Sequence, residues 1–509
     1  MTVLLKKYRF DILAWILIIL GFLASRLVNL GIVPIFTDEA IYLRWSQIMA
    51  RDASLRYLPL VDGKPPLFMW ITSAVMKALP NLDPLSAGRL VAVASGLFAL
   101  FGIYFAALQL FKNKKIAYLS SVFYLLSPFT FFYDRFATAD SLLAAFAVWS
   151  FGLSVMLVET LRLDVAMLLG ITIGLNLLTK TPALFSLVGL PLFLLLFNFR
   201  SENWKTNLAK LAGLCLVVVV LAESIFSVLR LFPLFNMITE KNLDFSLSVR
   251  QFLHNPMMLF PNNFPALFSW EVGYLTVPVV LAVLLGIAWG LRRRWRQTAV
   301  LTLTFCGLFF YMSFFNKIIY PRFLLTFTFT LLILAAAALA NIRRISPISL
   351  ISPILLITLI FLIVFAPSVY TDFKLATDPV AAPIPQADRD QYLDGWPAGF
   401  GVSQVRQFLA VQTKENAKVV VGTEGTFGLM PYALELYQKD YPNLEIKAFW
   451  PLGDKVPKDI AAAAKLYPTY FIIYQRRTAP PGWKLRQLLS FRQGKGSDYL
   501  RLYRVLPSQ

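Results

Sequence analysis

Long apolar segments recur along most of this chain, and several of them exceed the length needed to cross a lipid bilayer. Hydrophobic residues make up 58% of the 509 residues, and the mean hydropathy is +0.64. A soluble domain could not bury this much apolar surface. The sequence therefore predicts a multi-span, all-helical membrane protein.

The charge and the scarce metal-binding residue types exclude several classes of function. The formal net charge is +20, which in a membrane protein reflects cytoplasmic Lys and Arg beside anionic membrane lipids. Nucleic acid is not an expected partner, because no basic run is interleaved with aromatic residues. Cys215 and Cys306 lie in apolar segments, so no disulfide framework or Cys-type zinc site is expected. A single histidine, His254, excludes a His-rich metal cage and disfavours a Ser-His-Asp hydrolase.

Basic clusters predict how the chain is threaded through the membrane. The first span, residues 11–33, follows Lys6, Lys7 and Arg9 and lacks a cleavage site, so we expect a retained span and a cytoplasmic N-terminus. Later clusters, of which residues 292–296 are the strongest, alternate consistently with about eleven spans. The prediction is a multi-pass protein of the cell (plasma) membrane with an extracytoplasmic C-terminus.

The predicted domains are a membrane domain at residues 1–367, a proline-containing linker at 368–390 and an extracytoplasmic α/β domain at 391–509. The first outer loop, residues 34–83, contains two amphipathic stretches that are expected to form interfacial helices. A second outer loop covers residues 233–270. The α/β domain is expected either to handle the acceptor or to stabilise the outer loops.

Short strands alternate with helices in the C-terminal domain. The predicted strands are residues 417–421, 445–449 and 469–474, and the predicted helices are residues 404–411, 429–437 and 458–466. The glycine-containing loop at residues 422–428 could cradle an anion, but Glu424 would repel phosphate. A plain tight turn is the alternative.

An adjacent pair of carboxylates, Asp38 and Glu39, follows the first span, and Lys64 lies between a glycine and two prolines in the same loop. Ionisable residues are costly at the membrane boundary, which makes a functional role the working hypothesis. The alternative is that Asp38 caps a helix running over residues 39–50.

The predicted topology gathers acids and bases at the outer ends of the spans: Asp38, Glu39, Lys64, Arg135, Asp140, Lys180, Tyr320 and Arg322. A carboxylate can deprotonate an acceptor hydroxyl that attacks a sugar, and cations can neutralise a departing phosphate. Sugar transfer from a lipid phosphate would require this combination.

Several of these residues have a structural alternative. Lys64 could extend to the membrane interface, Arg135 could pair with Asp134, and Arg322 could be an interfacial anchor. His254 could be an ordinary surface or packing residue in its long loop.

Four motifs in order carry a family resemblance: residues 36–42 (FTDEAIY), residues 63–67 (GKPPL), Arg135 followed by Asp140, and residues 178–180 (LTK). Together they resemble the C-type (GT-C) glycosyltransferase superfamily, and most closely its protein O-mannosyltransferase and aminoarabinose (lipid A) transferase group. The similarity covers roughly the first 340 residues.

The resemblance implies roles for individual residues. It implies that Asp38 is the catalytic base, that Glu39 supports it and that Asp140 shapes the site. The donor phosphate would be bound by three cations and a tyrosine, which are Lys64, Arg135, Arg322 and Tyr320. Lys180 would support them.

No cofactor follows from the residues themselves, but the aminoarabinose transferases bind a metal through an acid and a histidine of outer loops. The resemblance therefore leaves a divalent metal open, with His254 as the candidate ligand. Gly63 stands where a glutamate would be expected before Lys64, which puts the metal site in doubt.

The resemblance implies an inverting glycosyltransferase of the cell envelope. Its expected donor is a sugar on polyprenyl (or dolichyl) phosphate, and its expected acceptor is an extracytoplasmic protein hydroxyl, lipid or glycan. A transporter or flippase of lipid-linked sugars is the alternative, for which Glu223 is the main polar residue within a span. A ligase of diphosphate-linked glycans is a second alternative.

Overall fold

The computed structural model describes residues 2–341, 353–475 and 478–507. They form two compact units. The first unit comprises Met1–Val28, Arg56–Phe68 and Arg89–Ala376, and the second comprises Asn29–Leu55, Met69–Gly88 and Thr377–Gln509. Residues 29–55 and 69–88 of the predicted membrane domain thus group with the C-terminal residues. Arg343, Arg344 and the start of the predicted eleventh span lie outside the described residues.

The first unit is built from α-helices joined by short 3-10 turns. The α-helices that lie wholly or mainly in it are Thr2–Leu27, Pro84–Phe111, Lys114–Leu125, Pro128–Tyr133, Asp140–Thr160, Leu163–Leu177, Leu184–Val188, Trp204–Phe226, Met237–Phe245, Val249–His254, Phe260–Leu275, Val277–Arg293, Trp295–Phe315, Leu325–Ala340 and Pro353–Thr377. The 3-10 turns are Leu58–Asp62, Thr181–Ala183, Leu190–Leu196, Ser227–Leu231 and Pro321–Phe323. This confirms the predicted helical membrane fold.

Among the described residues, 5 helices are long and apolar enough to cross a membrane, or 6 if one bent pair counts as a span. The 5 helices are Tyr8–Leu27, Pro84–Phe111, Asp140–Thr160, Trp204–Leu231 and Trp295–Phe315. The bent pair, Phe260–Leu275 with Val277–Arg293, turns by 103°. The protein is a multi-pass membrane protein, but the predicted count of about eleven spans is not confirmed.

Glycines allow neighbouring helices to approach closely. A Cβ atom on Gly170 would lie 2.8 Å from the Cβ atom of Leu221, and one on Gly174 would lie 2.8 Å from the Cβ atom of Ile225. Both glycines lie on Leu163–Leu177 and both partners on Trp204–Phe226. Small residues at such positions let the backbones of membrane helices come into contact, where packing replaces the hydrophobic effect as the driving force.

The second unit contains a five-stranded sheet in the order β2-β1-β3-β5-β4. The strands are β1 (Val419–Glu424), β2 (Leu444–Phe449), β3 (Thr469–Ile473), β4 (Leu485–Arg492) and β5 (Tyr499–Val505). β1 pairs in parallel with β2 and β3, whereas β5 is antiparallel to β3 and β4. The α/β domain is confirmed, and the hairpin of β4 and β5 adds two strands that the sequence pattern did not reveal.

The α-helices that lie wholly or mainly in the second unit are Thr37–Arg51, Leu67–Ala78, Gln386–Tyr392, Val402–Glu415, Leu429–Glu435 and Lys458–Leu466, and its 3-10 turns are Ala53–Leu55, Pro379–Ala381 and Gln438–Asp440. The first two correspond to the amphipathic stretches predicted in the first outer loop. The proline-containing stretch after Thr377 forms a 3-10 turn and the short helix Gln386–Tyr392.

Glu424 is a buried structural residue at the end of β1. Its Oε2 atom accepts the backbone N–H groups of Tyr474 at 3.0 Å and Gln475 at 2.9 Å. These bonds join β1 to the chain leaving β3. The contacts favour the plain turn over the anion cradle, because a buried carboxylate fixed beside the loop would repel a bound anion.

Candidate functional site

Asp38 lies in the first turn of the helix Thr37–Arg51, and its residue is half-buried. The N-cap residue is Phe36, whose backbone N–H donates to Oε2 of the fully buried Glu39 at 3.0 Å. The alternative that Asp38 caps a helix starting at Glu39 is therefore wrong. Glu39 bonds the N-cap because its side chain reaches back one turn, while Asp38 occupies a position where the helix dipole favours a carboxylate.

C-terminal residues of the second unit hold this helix in place. The hydroxyl of Thr37 donates to the carbonyl oxygen of Pro397 at 2.9 Å, and the backbone N–H of Thr37 donates to the same oxygen at 3.1 Å. Two turns further along, the Arg44 guanidinium forms a 2.7 Å ion pair with Glu435. The backbone that carries Asp38 is thus fixed by residues more than 300 positions later in the chain.

Four predicted residues of the first unit form one cluster. Lys180 donates from Nζ to Oδ1 of Asp140 at 2.6 Å. The same ammonium lies 5.0 Å from the ring centroid of Phe323. Phe323 also faces the guanidinium of Arg322 at 5.9 Å, and that guanidinium lies 4.9 Å from the ring of Tyr320. Two cations and a phenol are therefore arranged around the Phe323 ring, and one of the cations, Lys180, bonds a carboxylate.

The loop that carries Lys64 is attached beside this cluster. The backbone N–H of Leu67 donates to the carbonyl oxygen of Leu178 at 2.9 Å, which joins the motif around Lys64 to the motif around Lys180. The Lys64 ammonium lies 3.3 Å from Oδ2 of Asp62, and its side chain is 21% exposed. The side chain thus contacts a carboxylate within its own loop.

Arg135 and Asp134 contact different partners inside the first unit. Arg135 donates from one guanidinium nitrogen to the carbonyl oxygens of Ser25 at 2.9 Å and Val28 at 2.8 Å, so it caps the C-terminal end of the first helix. Asp134 lies 3.7 Å from the Arg26 guanidinium, and both side chains are completely buried. The donor-phosphate role of Arg135 stays a prediction.

The resemblance implies a possible divalent metal, but the residues at the expected position do not fit a metal site. Within the described ranges, no group of three or more His, Cys, Asp or Glu side chains could bind a metal ion. His254 is exposed at the C-terminal end of the short helix Val249–His254. Gly63 has a left-handed φ of +62°, and a Cβ there would lie 2.7 Å from the Cβ of Lys241, so an acid cannot replace it without displacing the neighbouring helix.

Two charged residues with specific contacts were missed by sequence reasoning. Lys241 donates to Oδ1 of Asp62 at 2.8 Å, but the two residues are 179 positions apart and no local pattern connects them. Glu271 is buried in the helix Phe260–Leu275 and accepts the hydroxyl of Thr328 at 3.0 Å. An acid within an apolar segment was the signal that could have identified Glu271.

Comparison with known proteins agrees with these motifs. A family profile described as "Dolichyl-phosphate-mannose-protein mannosyltransferase" matches residues 63–226. No individually curated protein matches the chain. The structure of ArnT from Cupriavidus metallidurans bound to undecaprenyl phosphate superposes with a TM-score of 0.60 at 14% identity, covering 99% of this chain and 100% of that one. The chain has a C-type glycosyltransferase fold.

ArnT from the same organism in the apo state gives a TM-score of 0.58 at 15% identity, with coverage of 99% and 100%. The likeness therefore extends over both units. The superposed residues include the C-terminal α/β domain. The sequence motifs did not assign this domain to the protein O-mannosyltransferases or to the aminoarabinose transferases. Together with the profile match, these superpositions confirm the resemblance to the ArnT and protein O-mannosyltransferase group.

Proposed function

We propose that the protein is an inverting glycosyltransferase that moves a sugar from a polyprenyl-phosphate donor to an acceptor on the extracytoplasmic side. The observation that carries this proposal is the cluster of Asp140, Lys180, Arg322 and Tyr320, to which the Lys64 loop is joined by a backbone hydrogen bond. Such a mixed acid and base cluster suits a lipid phosphate, and the fold is one that holds undecaprenyl phosphate in ArnT.

In the proposed reaction, the hydroxyl oxygen of the acceptor attacks the anomeric carbon of the donor sugar. The bond between that carbon and the phosphate oxygen breaks, and its electron pair stays on the phosphate. The hydroxyl proton passes to Asp38, whose half-buried carboxylate is a suitable general base. Attack from the side opposite the phosphate inverts the configuration of the sugar.

The cations of the first unit would stabilise the departing phosphate. Lys64 and Arg322 can donate charge-assisted hydrogen bonds to its oxygens as negative charge grows there. Tyr320 can donate a further hydrogen bond from its hydroxyl. Asp140 would hold Lys180, since the two side chains are 2.6 Å apart and Asp140 is only 3% exposed.

Purified protein incubated with a panel of radiolabelled polyprenyl-phosphate sugars tests the proposal. We expect release of labelled sugar from the lipid, either to an acceptor or to water. Failure to transfer or hydrolyse any sugar of the panel would contradict it. A flippase, the alternative function, would instead move the labelled donor between the leaflets of a vesicle with the donor intact.

A further inference from the structure

Lys241 lies beside Lys64 and shares a carboxylate with it. It belongs to the helix Met237–Phe245, and its ammonium donates to Oδ1 of Asp62 at 2.8 Å. The other oxygen, Oδ2, faces the ammonium of Lys64 at 3.3 Å. The three side chains are 35%, 21% and 21% exposed for Lys241, Asp62 and Lys64. Each is therefore fixed by a neighbour while remaining accessible to a ligand.

The backbone at Gly63, between Asp62 and Lys64, lies in close contact with the helix Met237–Phe245 that carries Lys241. Gly63 has a φ of +62°, which disfavours any side chain. A Cβ atom at position 63 would also lie 2.7 Å from the Cβ of Lys241 and would collide with the backbone oxygen of Met237. Where the resembling transferases carry an acid for a metal, this chain therefore has a close contact with a lysine-bearing helix.

We propose that Lys241 is a phosphate-binding residue and that Lys64, Asp62 and Lys241 form a metal-independent anion site for the donor phosphate. This inference rests on the proposed function and names a residue for its binding site. Two ammonium groups and one carboxylate give the trio a net charge of +1. Asp62 offsets the repulsion between the two ammonium groups and fixes their separation before the ligand binds.

The charge of this trio matches the charge that develops on the leaving group. A sugar on a lipid phosphate is a phosphodiester with one negative charge. When the bond to the sugar breaks, the electron pair remains on the phosphate oxygen and a second negative charge forms on the lipid monophosphate. A fixed ammonium near that oxygen stabilises the charge without reorganising, which is the task that a divalent cation performs elsewhere.

Binding of undecaprenyl phosphate to the full-length protein in lipid nanodiscs tests this assignment without requiring transfer. We expect Lys241→Met to weaken binding about 10- to 100-fold, the effect of losing one hydrogen bond to a charged group. Lys241→Arg should keep most of the affinity, because it retains the charge. Lys241→Gln preserves a hydrogen bond to Asp62 and should weaken binding as Met does, which separates loss of charge from loss of fold.

Lys317→Met is the matched control. The Lys317 ammonium donates to the carbonyl oxygen of Leu243 at 2.8 Å, and Leu243 lies on the same helix as Lys241. This bond is to a backbone carbonyl and not to a carboxylate. Removal of this ammonium should leave the affinity for undecaprenyl phosphate unchanged. Equal loss of affinity in Lys317→Met and Lys241→Met would show a general charge effect and overturn the assignment.

Chelation supplies the second arm. We expect sugar release by the wild-type protein to persist in EDTA, because fixed ammonium groups provide the positive charge. The inference is overturned if EDTA abolishes release and Mg²⁺ or Mn²⁺ restores it, or if Lys241→Gln and Lys241→Met bind undecaprenyl phosphate as tightly as wild type. Those results leave the proposed transferase intact, whereas absence of any sugar release by wild type contradicts the transferase itself.

Discussion

Two groups of charged residues in the first unit differ in how much solvent reaches them. Arg26 and Asp134 are completely buried, and their polar atoms bond inward. Arg26 donates to the carbonyl oxygen of Leu125 at 2.7 Å and to the hydroxyl of Thr130 at 3.1 Å, while Asp134 accepts the hydroxyl of Ser141 at 2.8 Å. In contrast, Lys180 is 24% exposed and Lys241 is 35% exposed, although each has a carboxylate partner.

The difference separates residues that build the fold from residues that can meet a ligand. Burial raises the pKa of the Asp134 carboxyl to about 6 even though Arg26 lowers it, so desolvation outweighs the attraction between the two charges. The Arg26–Asp134 pair therefore serves the packing of the helices and not the binding of a ligand. The motif from Arg135 to Asp140 therefore joins two functions, because Arg135 at its start anchors a helix and Asp140 at its end contacts the half-buried Lys180.

Removal of one buried partner should produce the largest loss of stability. Arg26→Met keeps much of the side-chain volume but leaves Asp134 buried without its cation, and we expect the free energy of unfolding to fall by about 3–5 kcal/mol. Thermal unfolding in detergent measures the effect. The double variant Arg26→Met with Asp134→Asn should lose less than Arg26→Met alone. A larger loss in the double variant would show that the two charges do not act as a pair.

Removal of the half-buried lysine partner of Asp140 should instead reduce turnover. Lys180→Met takes the ammonium from Asp140, which then loses its fixed position. A displacement of about 1 Å at a catalytic group costs about 10²-fold in rate, so sugar release should fall by about that factor. Stopped assays with labelled donor give the rate, and thermal unfolding of the same sample gives the stability. If the unfolding free energy changed by several kcal/mol while turnover stayed normal, Lys180 would belong with the buried group.

A more exposed ion pair marks the lower end of the comparison. Lys112 lies 2.5 Å from Glu159, and their side chains are 57% and 37% exposed. Lys112→Ala should change the free energy of unfolding by less than about 1 kcal/mol. Turnover and the affinity for undecaprenyl phosphate should remain at the wild-type values. A marked loss of either would show that exposure does not distinguish the functional lysines from ordinary surface lysines.

The elements that sequence patterns predict well are those whose pattern is local. The helix Lys458–Leu466 has the predicted bounds because its apolar residues repeat with a helical period and a proline precedes it. β4 was missed because it is an edge strand with little alternation, carrying Arg486 and Gln487 among half-buried residues. Hydrogen bonds to β5 hold β4 in the sheet, and the sequence of neither strand reveals this pairing.

The candidate site divides in the same way. The identities of Asp38, Lys64 and Lys180 follow from short motifs. Lys64 has a partner within its own loop, Asp62, whereas Lys180 has its partner 40 positions earlier, at Asp140. Glu39 has a local role that a three-residue spacing could have predicted, because it accepts the N–H of Phe36. The contact of Lys241 with Asp62 depends on how two loops pack, and hydrophobic periodicity carries no information about it.

The central claim, that Asp38 is the base of a sugar transfer, is tested most directly by Asp38→Asn. An amide cannot accept the acceptor's proton, so turnover should fall about 10²- to 10⁴-fold, while binding of undecaprenyl phosphate and the unfolding temperature stay close to wild type. Asp52→Asn, in the exposed residue that follows the same helix, should leave turnover unchanged and serves as the control. An Asp38→Asn protein that keeps more than about a tenth of wild-type turnover would contradict the account.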